Sequence, residues 1–451
     1  AMLTGRYASS FGCFDNAALF PADVPTVAHY LTGAGYATAA AGKMHFVGPD
    51  QLHGFDRRLN PDIFPAGFDW LPLPDDQGRF PAGGHAHQYV PPQVGVRPWT
   101  KFLSYDEETT YHAVDFIRER ARTAADDPYF LVASLHHPHD PFQVTQEYWD
   151  RYRDAPIDLP SPPPPGGWPR TVFDDWLDAA HSCAEVDLAD PEAMRALRRS
   201  YYALVSYVDA KLGQILDALD GTGQLRDTVV IVTSDHGDML GERGMVQKRC
   251  FYEWSSRVPL VMAFGSGAHA GSVVRQPVSL IDLAPTLLDL AGVPASGQAR
   301  MDGGSLLPLL GRAASVRDES AGPGGIGDGT GGDGDPGREV FSEYHVEKVH
   351  ASGYLVRNGR YKYTLIDGHD EQLFDVVTDP GETRDLAGDP GYRAVRDGLH
   401  ERIRRTFDLP AISAVVADSL RRRAVIMPAM QRNSTSWDAV PEFRPAGRYV
   451  R

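Results

Sequence analysis

One stretch of the sequence, residues 226 to 250, constrains the fold more than any other. Within it, Val229 to Val232 form an apolar, β-branched run that predicts a buried parallel strand. The run is followed at once by Thr233-Ser234-Asp235-His236-Gly237, at the carboxyl end of the strand, where an α/β sheet places its chemistry. A carboxylate and an imidazole on a tight turn can hold one cation, and Lys248 can reach a bound anion as a point charge. Half of a metal-assisted anion site is indicated; the alternative is that the Asp-His-Gly turn only ends the strand.

Length and composition are those of a large globular protein. The 451 residues, 42% hydrophobic and 23% charged, can bury a large core and predict one large domain with a smaller one. A net charge of −16 argues against nucleic acid or an anionic membrane surface as a partner. The three cysteines are too far apart for a zinc site and too few for a disulfide framework, and no apolar run approaches the roughly 20 residues of a membrane helix. We therefore expect a cytoplasmic protein with no membrane or nucleic-acid partner.

Alternation of helices and strands predicts the architecture. A helix near residues 105–123, the strand PYFLVASL and a long helix from Pro191 precede the central strand, and SRVPLVMAF and LIDLAPTLLDLAGV follow it as strand and helix. This order predicts an α/β fold with a doubly wound, mostly parallel sheet flanked by helices. We assign residues 1–317 to this large domain.

The C-terminal part of the sequence has a different pattern. Residues 318–337 are rich in Gly and Asp and predict a flexible insertion. Residues 338–407 contain short strands separated by Asn-Gly and Asp-Gly turns, then a helix, which predicts a small antiparallel α+β subdomain. Residues 408–451 carry a basic helix and form the predicted C-terminal tail.

Two further loops carry cationic and imidazole groups. Lys43 and His45 are two positions apart on an extended segment, so their side chains point the same way and can contact the oxygens of one anion. The alternative is a surface lysine beside a structural histidine. His136, His137 and His139 lie on the loop after PYFLVASL, where they either act in the site or only stabilise the loop.

The strings that carry these residues resemble a known family. They are SDHGDMLGERG, followed by a lysine and SSRVPL, then GKMHFVGPDQLHGFDRRL, and LTGRY near the start. Together they resemble the sulfatase family of the alkaline phosphatase superfamily, most closely its choline sulfatase branch. The resemblance extends from Leu3 to Arg451, apart from the Gly/Asp insertion.

The resemblance implies a hydrolase that cleaves a sulfate monoester, with a choline sulfate-like substrate preferred. It assigns Asp235 and His236 to a divalent cation; Ca²⁺ is expected, with Mg²⁺ and Mn²⁺ as alternatives. It also assigns catalytic roles to Lys43, His45, Lys248 and His139. The first three would stabilise charge on the sulfuryl oxygens, and His139 would protonate the leaving oxygen.

A pocket for a quaternary ammonium group is implied as well. Trp70 would face the cation, since indole faces attract cations, although an ordinary packing role fits equally well. His137, as the fallback for His139, and Glu343 with His345 at a strand end would also contact the substrate. Asp438 in the tail would complete a neighbouring subunit's pocket in a homo-oligomer; the alternative is an arm that ties down only its own chain.

The family's nucleophile is a formylglycine made from the Cys or Ser of a C-x-P-S-R motif. No Ser or Cys among residues 1–451 stands in that context. We expect its position, with the first metal-ligand strand, to precede residue 1, and the 451-residue chain alone to be inactive or nearly so. Two alternatives are a phosphonate monoester or phosphodiester hydrolase of the same superfamily and a non-catalytic anion-binding or scaffold protein.

Two stretches depart from the choline sulfatase pattern. EYHVEKVHASGYLVR is longer and richer in histidine, and MVQKRCF replaces the usual aromatic-containing run before the lysine. Because of these departures, choline is a preference only.

Overall fold

A computed structural model of the chain describes residues 1–68, 72–75, 80–123, 127–311, 314–315 and 338–438. Trp70, the predicted insertion at 318–337 and the tail beyond Asp438 lie outside these residues. The helices are α1 (Val27–Gly33), α2 (Lys101–Thr123), α3 (Gln146–Asp150), α4 (Val172–His181), α5 (Pro191–Gly221), α6 (Glu253–Ser256), α7 (Leu283–Leu290), α8 (Leu307–Leu310), α9 (Arg393–Thr406) and α10 (Leu409–Asn433). Within the described ranges, each helix is too short or too polar to cross a lipid bilayer.

Among the described residues, the strands form a three-stranded parallel sheet, a four-stranded antiparallel sheet and several two-stranded pairs. They are β1 (Ala37–Gly42), β2 (Arg57–Arg58), β3 (Gly95–Val96), β4 (Tyr129–Ser134), β5 (Gln143–Val144), β6 (Val229–Thr233), β7 (Leu260–Phe264), β8 (Ser272–Val273), β9 (Ala314–Ser315), β10 (Val340–Tyr344), β11 (Gly353–Arg357), β12 (Tyr361–Ile366) and β13 (Glu371–Asp375). The predicted α/β class, with a parallel sheet and a separate small antiparallel sheet, is confirmed. The predicted domain boundaries stay predictions.

In the parallel sheet, β1 lies between β2 and β4. Ala39, Ala40 and Ala41 of β1 are buried, so helices can approach both faces of the strand closely. The register pairs Ala37 with Tyr129 and Gly42 with Ser134, which brings the carboxyl ends of β1 and β4 side by side. At Gly42 the backbone has a φ of +90°, and a Cβ would lie 1.9 Å from the carbonyl oxygen of Ser134. The glycine therefore allows the close approach that places the loop after β1 beside the loop after β4.

The central strand differs from its prediction. β6 pairs antiparallel with β7, from Val229 opposite Phe264 to Thr233 opposite Leu260, and its side chains are half-buried. The buried parallel strand predicted at 229–232 is therefore wrong in direction and in burial. An apolar run indicates contact with a core but does not specify the direction of the neighbouring strand, and the connection to β7 contains no long crossover helix.

The C-terminal sheet has the order β10-β11-β12-β13, with every pair antiparallel. The predicted Asn-Gly turn begins at Asn358, whose Oδ1 accepts hydrogen bonds from the backbone of Arg360 and Tyr361. Helix α9 covers one face of the sheet through buried Leu399 and Ile403. The tail helix α10 packs on the N-terminal part of its own chain, where Arg423 forms a buried ion pair of 2.7 Å with Asp15.

Candidate functional site

The loop after β1 is fixed by one carboxylate. Asp62 Oδ2 accepts hydrogen bonds from the backbone nitrogens of Met44 (2.9 Å) and His45 (2.7 Å), and it pairs with Arg58 at 2.8 Å. His45 has a φ of +59°, a conformation that these contacts stabilise. Burial lowers the pKa of His45 to about 4, so its imidazole is neutral near pH 7.

Asp106 of α2 holds the start of the loop after β4. Its carboxylate accepts from the backbone nitrogens of His136 (2.6 Å) and His137 (3.1 Å) and also contacts His137 Nδ1 at 2.6 Å. His137 is buried, and its ring packs against Tyr207 of α5. The structure therefore places His137 between helices, in a structural contact.

His139 points into a different environment from His137. Its Nδ1 lies 2.9 Å from the carbonyl oxygen and 3.0 Å from Oδ1 of Asp140, and its Nε2 lies 2.5 Å from Nζ of Lys248. His139 and Lys248, predicted from separate stretches, thus form a direct hydrogen bond.

The turn after β6 completes the cluster. Lys43 Nζ lies 3.1 Å from Oδ2 of Asp235, and the rings of His139 and His236 are 5.9 Å apart. Three loops, after β1, β4 and β6, therefore bring together the predicted residues Lys43, His45, His139, Asp235, His236 and Lys248.

The pKa shifts in this cluster indicate which groups carry protons near pH 7. Burial and the neighbouring Arg249 and Lys43 lower the pKa of Lys248 to about 8, although Asp140 opposes the shift. Burial and the Lys248 ammonium also lower the pKa of His139. Burial alone would raise the pKa of Asp140, but His139 and Lys248 outweigh it and hold that pKa well below its usual range. Near pH 7, Lys248 is therefore the charged donor and His139 the neutral acceptor.

Asp235 and His236 could form one side of a metal site. His236 Nδ1 is hydrogen-bonded to the carbonyl oxygen of Gly237, which leaves Nε2 as the ligand atom, 3.5 Å from Asp235 Oδ2. Ca²⁺ takes six to eight oxygen ligands. In the described part of the chain, no group of three or more His, Cys, Asp or Glu side chains is arranged to hold a metal ion. These two residues alone therefore do not fit a complete cation site.

Phe64 is an aromatic residue at the site that the sequence-based prediction missed. Its ring stacks on His45 with centroids 4.7 Å apart, and the Lys43 ammonium lies 5.6 Å from its centroid. The ring of His139 is 6.4 Å away. The only sequence signal was the aromatic-rich stretch after residue 48, which predicts ordered loops over the strand ends but does not single out this phenylalanine.

The residues predicted to bind an ammonium group contact other parts of the chain. Glu343 and His345 pair with each other at 3.2 Å, and Glu343 Oε1 accepts a hydrogen bond from the backbone of Ser9. Asp438 accepts from the backbone nitrogen of Ala66 at 2.8 Å, in its own chain. Among the described contacts, these carboxylates are bound by internal donors, and the contact of Asp438 matches the alternative of a tail that ties down its own chain. Assembly through the tail stays a prediction.

Comparison with known proteins gives one consistent family. The family model described as Sulfatase matches residues 1–293. A choline-sulfatase of Rhizobium meliloti (strain 1021) is 34% identical over 461 aligned positions, which cover 100% of this chain and 85% of that protein. Arylsulfatase K of Gallus gallus is 29% identical over 350 positions, and the alignment spans 74% of this chain but only 61% of the relative.

Solved structures share the fold. A protein in complex with its substrate D-glucosamine-2-N,6-O-disulfate superposes with a TM-score of 0.63 at 21% identity, covering 90% of this chain and 86% of that chain. The phosphonate monoester hydrolase of Agrobacterium radiobacter superposes with a TM-score of 0.60 at 23% identity, covering 93% and 85%. Members of the sulfatase family generally use a divalent metal ion. The family match and the full-length likeness to a choline-sulfatase show that the chain belongs to the sulfatase family of sulfuric ester hydrolases.

Proposed function

We propose that the protein hydrolyses a sulfate monoester at the cluster formed by Lys43, His139, Asp235 and Lys248. The observation that carries the proposal is the 2.5 Å contact between Lys248 Nζ and His139 Nε2, next to a second ammonium on Lys43. Two cations in a partly buried site favour a tetrahedral anion, and preorganised charges stabilise the additional charge of its transition state. A hydrogen-bonded donor pair beside them can serve the leaving oxygen.

The proposed roles follow from the contacts. Lys43 and Lys248 bind the sulfuryl oxygens, and His45 packs beside them as a neutral group. As the bond between sulfur and the ester oxygen breaks, that oxygen takes the proton shared by Lys248 and His139 and leaves as an alcohol. Asp140 keeps the His139 ring in place through Nδ1. The net reaction consumes one water and releases the alcohol, sulfate and one proton.

The nucleophile and the cation are part of the proposal. We assign the attack to the family's formylglycine, whose C-x-P-S-R motif does not occur in the 451 residues. Asp235 and His236 would contribute to a site for a divalent cation, with Ca²⁺ preferred and Mg²⁺ or Mn²⁺ as alternatives.

A choline sulfate-like ester is the proposed substrate, because the 34% identity to a choline-sulfatase extends over the full chain. The test compares kcat/KM of the protein as encoded by its gene for choline sulfate, 4-nitrophenyl sulfate and a phenylphosphonate monoester. We expect the sulfate esters to be hydrolysed faster than the phosphonate. A preference for the phosphonate would replace the proposal with the phosphonate monoester hydrolase alternative, and binding of choline sulfate without turnover would favour the binding protein.

A further inference from the structure

The two stretches that depart from the choline sulfatase pattern contact each other. Arg249 belongs to MVQKRCF and Glu347 to EYHVEKVHASGYLVR. Arg249 Nε lies 2.9 Å from Glu347 Oε1, and Nη2 contacts the same oxygen. Their side chains are only 10% and 5% exposed, so the pair is shielded from water. The ion pair joins the loop between β10 and β11 to the loop that carries Lys248.

Gln247 connects this pair to the candidate site. Its Oε1 accepts a hydrogen bond of 2.9 Å from Arg249 Nη1, and its Nε2 donates one of 3.0 Å to Asp140 Oδ1. Arginine can only donate and a carboxylate can only accept, so a single orientation of the amide satisfies both partners. Gln247 is 1% exposed. Both hydrogen bonds are therefore formed away from solvent, where losing either leaves a buried polar group unpaired.

The contacts form one continuous chain to the proton donor. It runs from Glu347 through Arg249, Gln247 and Asp140 to His139 and Lys248. The backbone around Lys248 has an uncommon conformation, because Gln247 has a φ of +67° and Arg249 a φ of +80°. Residues other than glycine rarely adopt such angles unless tertiary contacts hold them. The side-chain network supplies those contacts on both sides of Lys248.

We propose that Gln247 is a positioning residue for sulfate ester cleavage. It holds Asp140, and through Asp140 the His139 ring, against the Lys248 ammonium, and the Arg249–Glu347 pair anchors it. The proposal rests on the proposed function, since the residue acts through the proton donor pair. Glu347 thereby makes a loop of the C-terminal sheet part of the support of the site.

Steady-state kinetics of Gln247→Leu, made in the protein as encoded by its gene and assayed with two sulfate esters, test the proposal. Leucine keeps much of the volume and removes both hydrogen bonds. An alkyl sulfate needs a proton on its leaving oxygen, whereas the phenolate of 4-nitrophenyl sulfate leaves without one. We expect kcat for the alkyl ester to fall roughly tenfold or more, with a much smaller loss for the aryl ester and nearly unchanged KM. Equal losses for both esters, or a change in KM alone, would overturn the proposal.

Gln372→Leu is the matched control. Gln372 is also a buried glutamine, 4% exposed, and its amide contacts Tyr252 in another part of the molecule. We expect this variant to retain both rates. Gln247→Glu is the second test variant, because it keeps the volume and the acceptor for Arg249 but places a carboxylate against Asp140. It should show the same selective loss, and activity like that of the unsubstituted protein would count against the proposal.

A crystal structure of Gln247→Leu gives a readout that does not depend on turnover. We expect the His139 ring to rotate or move away from Lys248. A ring in its original place, with the Lys248 contact intact, would overturn the positioning role. If the unsubstituted protein hydrolyses neither ester, the proposed function fails, and the crystal structure still decides whether Gln247 positions His139.

Discussion

Nζ of Lys248 lies 2.5 Å from Nε2 of His139, at the meeting point of the loops that follow β4 and β6. A protonated lysine can only donate, so Nε2 accepts and Nδ1 carries the ring hydrogen toward Asp140. The contact thus sets both the tautomer of the histidine and the location of the proton. Since Lys248 is also proposed to bind the anion, the charge state of its ammonium can be measured as a change in anion affinity.

Sulfate affinity should fall as the pH rises through about 8, where burial places the pKa of Lys248. Below that pH the ammonium is charged and attracts the anion; above it the charge is lost. Calorimetric titration of the chain with sodium sulfate between about pH 7 and pH 9.5 measures the effect. Lys248→Arg should remove this decline, because a guanidinium stays charged, and Lys248→Met should bind weakly throughout. A flat profile for the unsubstituted chain would exclude this role of Lys248.

Removal of the Phe64 ring should weaken substrate binding more than turnover. The ring stacks on His45 and lies over the Lys43 ammonium, so Phe64→Ala releases both groups. We expect the loss of these contacts to weaken substrate binding by about 1 kcal/mol in total, which predicts a rise in KM of roughly fivefold. Phe64→Tyr keeps the ring and should retain KM. The predicted role would be wrong if Phe64→Ala lowered kcat alone.

Acid should destabilise the fold partly through His53. This residue is 0% exposed, and burial lowers its pKa to about 4, against opposition from Asp50. The unfolded chain, with the ordinary histidine pKa near 6.5, then binds more protons than the folded chain between about pH 4 and pH 6.5. Stability is therefore lost as the pH falls through that range, by about 2 kcal/mol at pH 5 from this group.

His53→Asn should reduce that loss, since asparagine tolerates the φ of +40° at this position and does not titrate. The measurement is the free energy of unfolding in urea at pH 7 and pH 5. His269→Asn is the control, because His269 has a similar φ of +57° but is exposed. If both variants lost the same free energy of unfolding between pH 7 and pH 5, His53 would not be a cause of the acid destabilisation.

The contact of Asp438 with Ala66 should slow amide exchange in the loop that carries Phe64. Asp438 accepts a hydrogen bond from the backbone of Ala66, and Trp437 packs edge-on against Phe68. Asp438→Ala is expected to speed amide exchange at residues 62–68, by about fivefold for the loss of about 1 kcal/mol. Asp418→Ala, which removes only exposed pairs with Arg421 and Arg422 on α10, should leave that exchange unchanged. Unchanged exchange in Asp438→Ala would contradict the predicted tie.

The cluster could be predicted because strand ends converge. Lys43, His139 and Asp235 each follow an apolar run, and the rule that α/β sheets gather chemistry at strand ends needs no knowledge of which strands pair. The direction of β6 could not be predicted, because the same apolar run suits parallel and antiparallel neighbours.

Contacts between distant stretches of the chain could not be predicted from the sequence. Glu343 and His345 have the residue types of a cation pocket. Only the fold shows that Glu343 accepts a hydrogen bond from the backbone of Ser9 and that Glu343 and His345 pair with each other. Phe64 is one aromatic among several in its loop, and its place over Lys43 depends on the anchoring of that loop by Asp62. Gln247 does not titrate and was assigned to no catalytic motif, so the sequence alone does not indicate a role for it.

The Arg249–Glu347 pair has a consequence for exchanging parts between related chains. The family match ends at residue 293, which suggests a natural boundary for recombination before the C-terminal sheet. Yet Glu347 lies beyond that boundary, and its partner lies within the matched region. In a chimera that takes the C-terminal sheet from a relative, the buried guanidinium of Arg249 beside Lys248 will lack its carboxylate partner unless residues 247–249 come from the same parent.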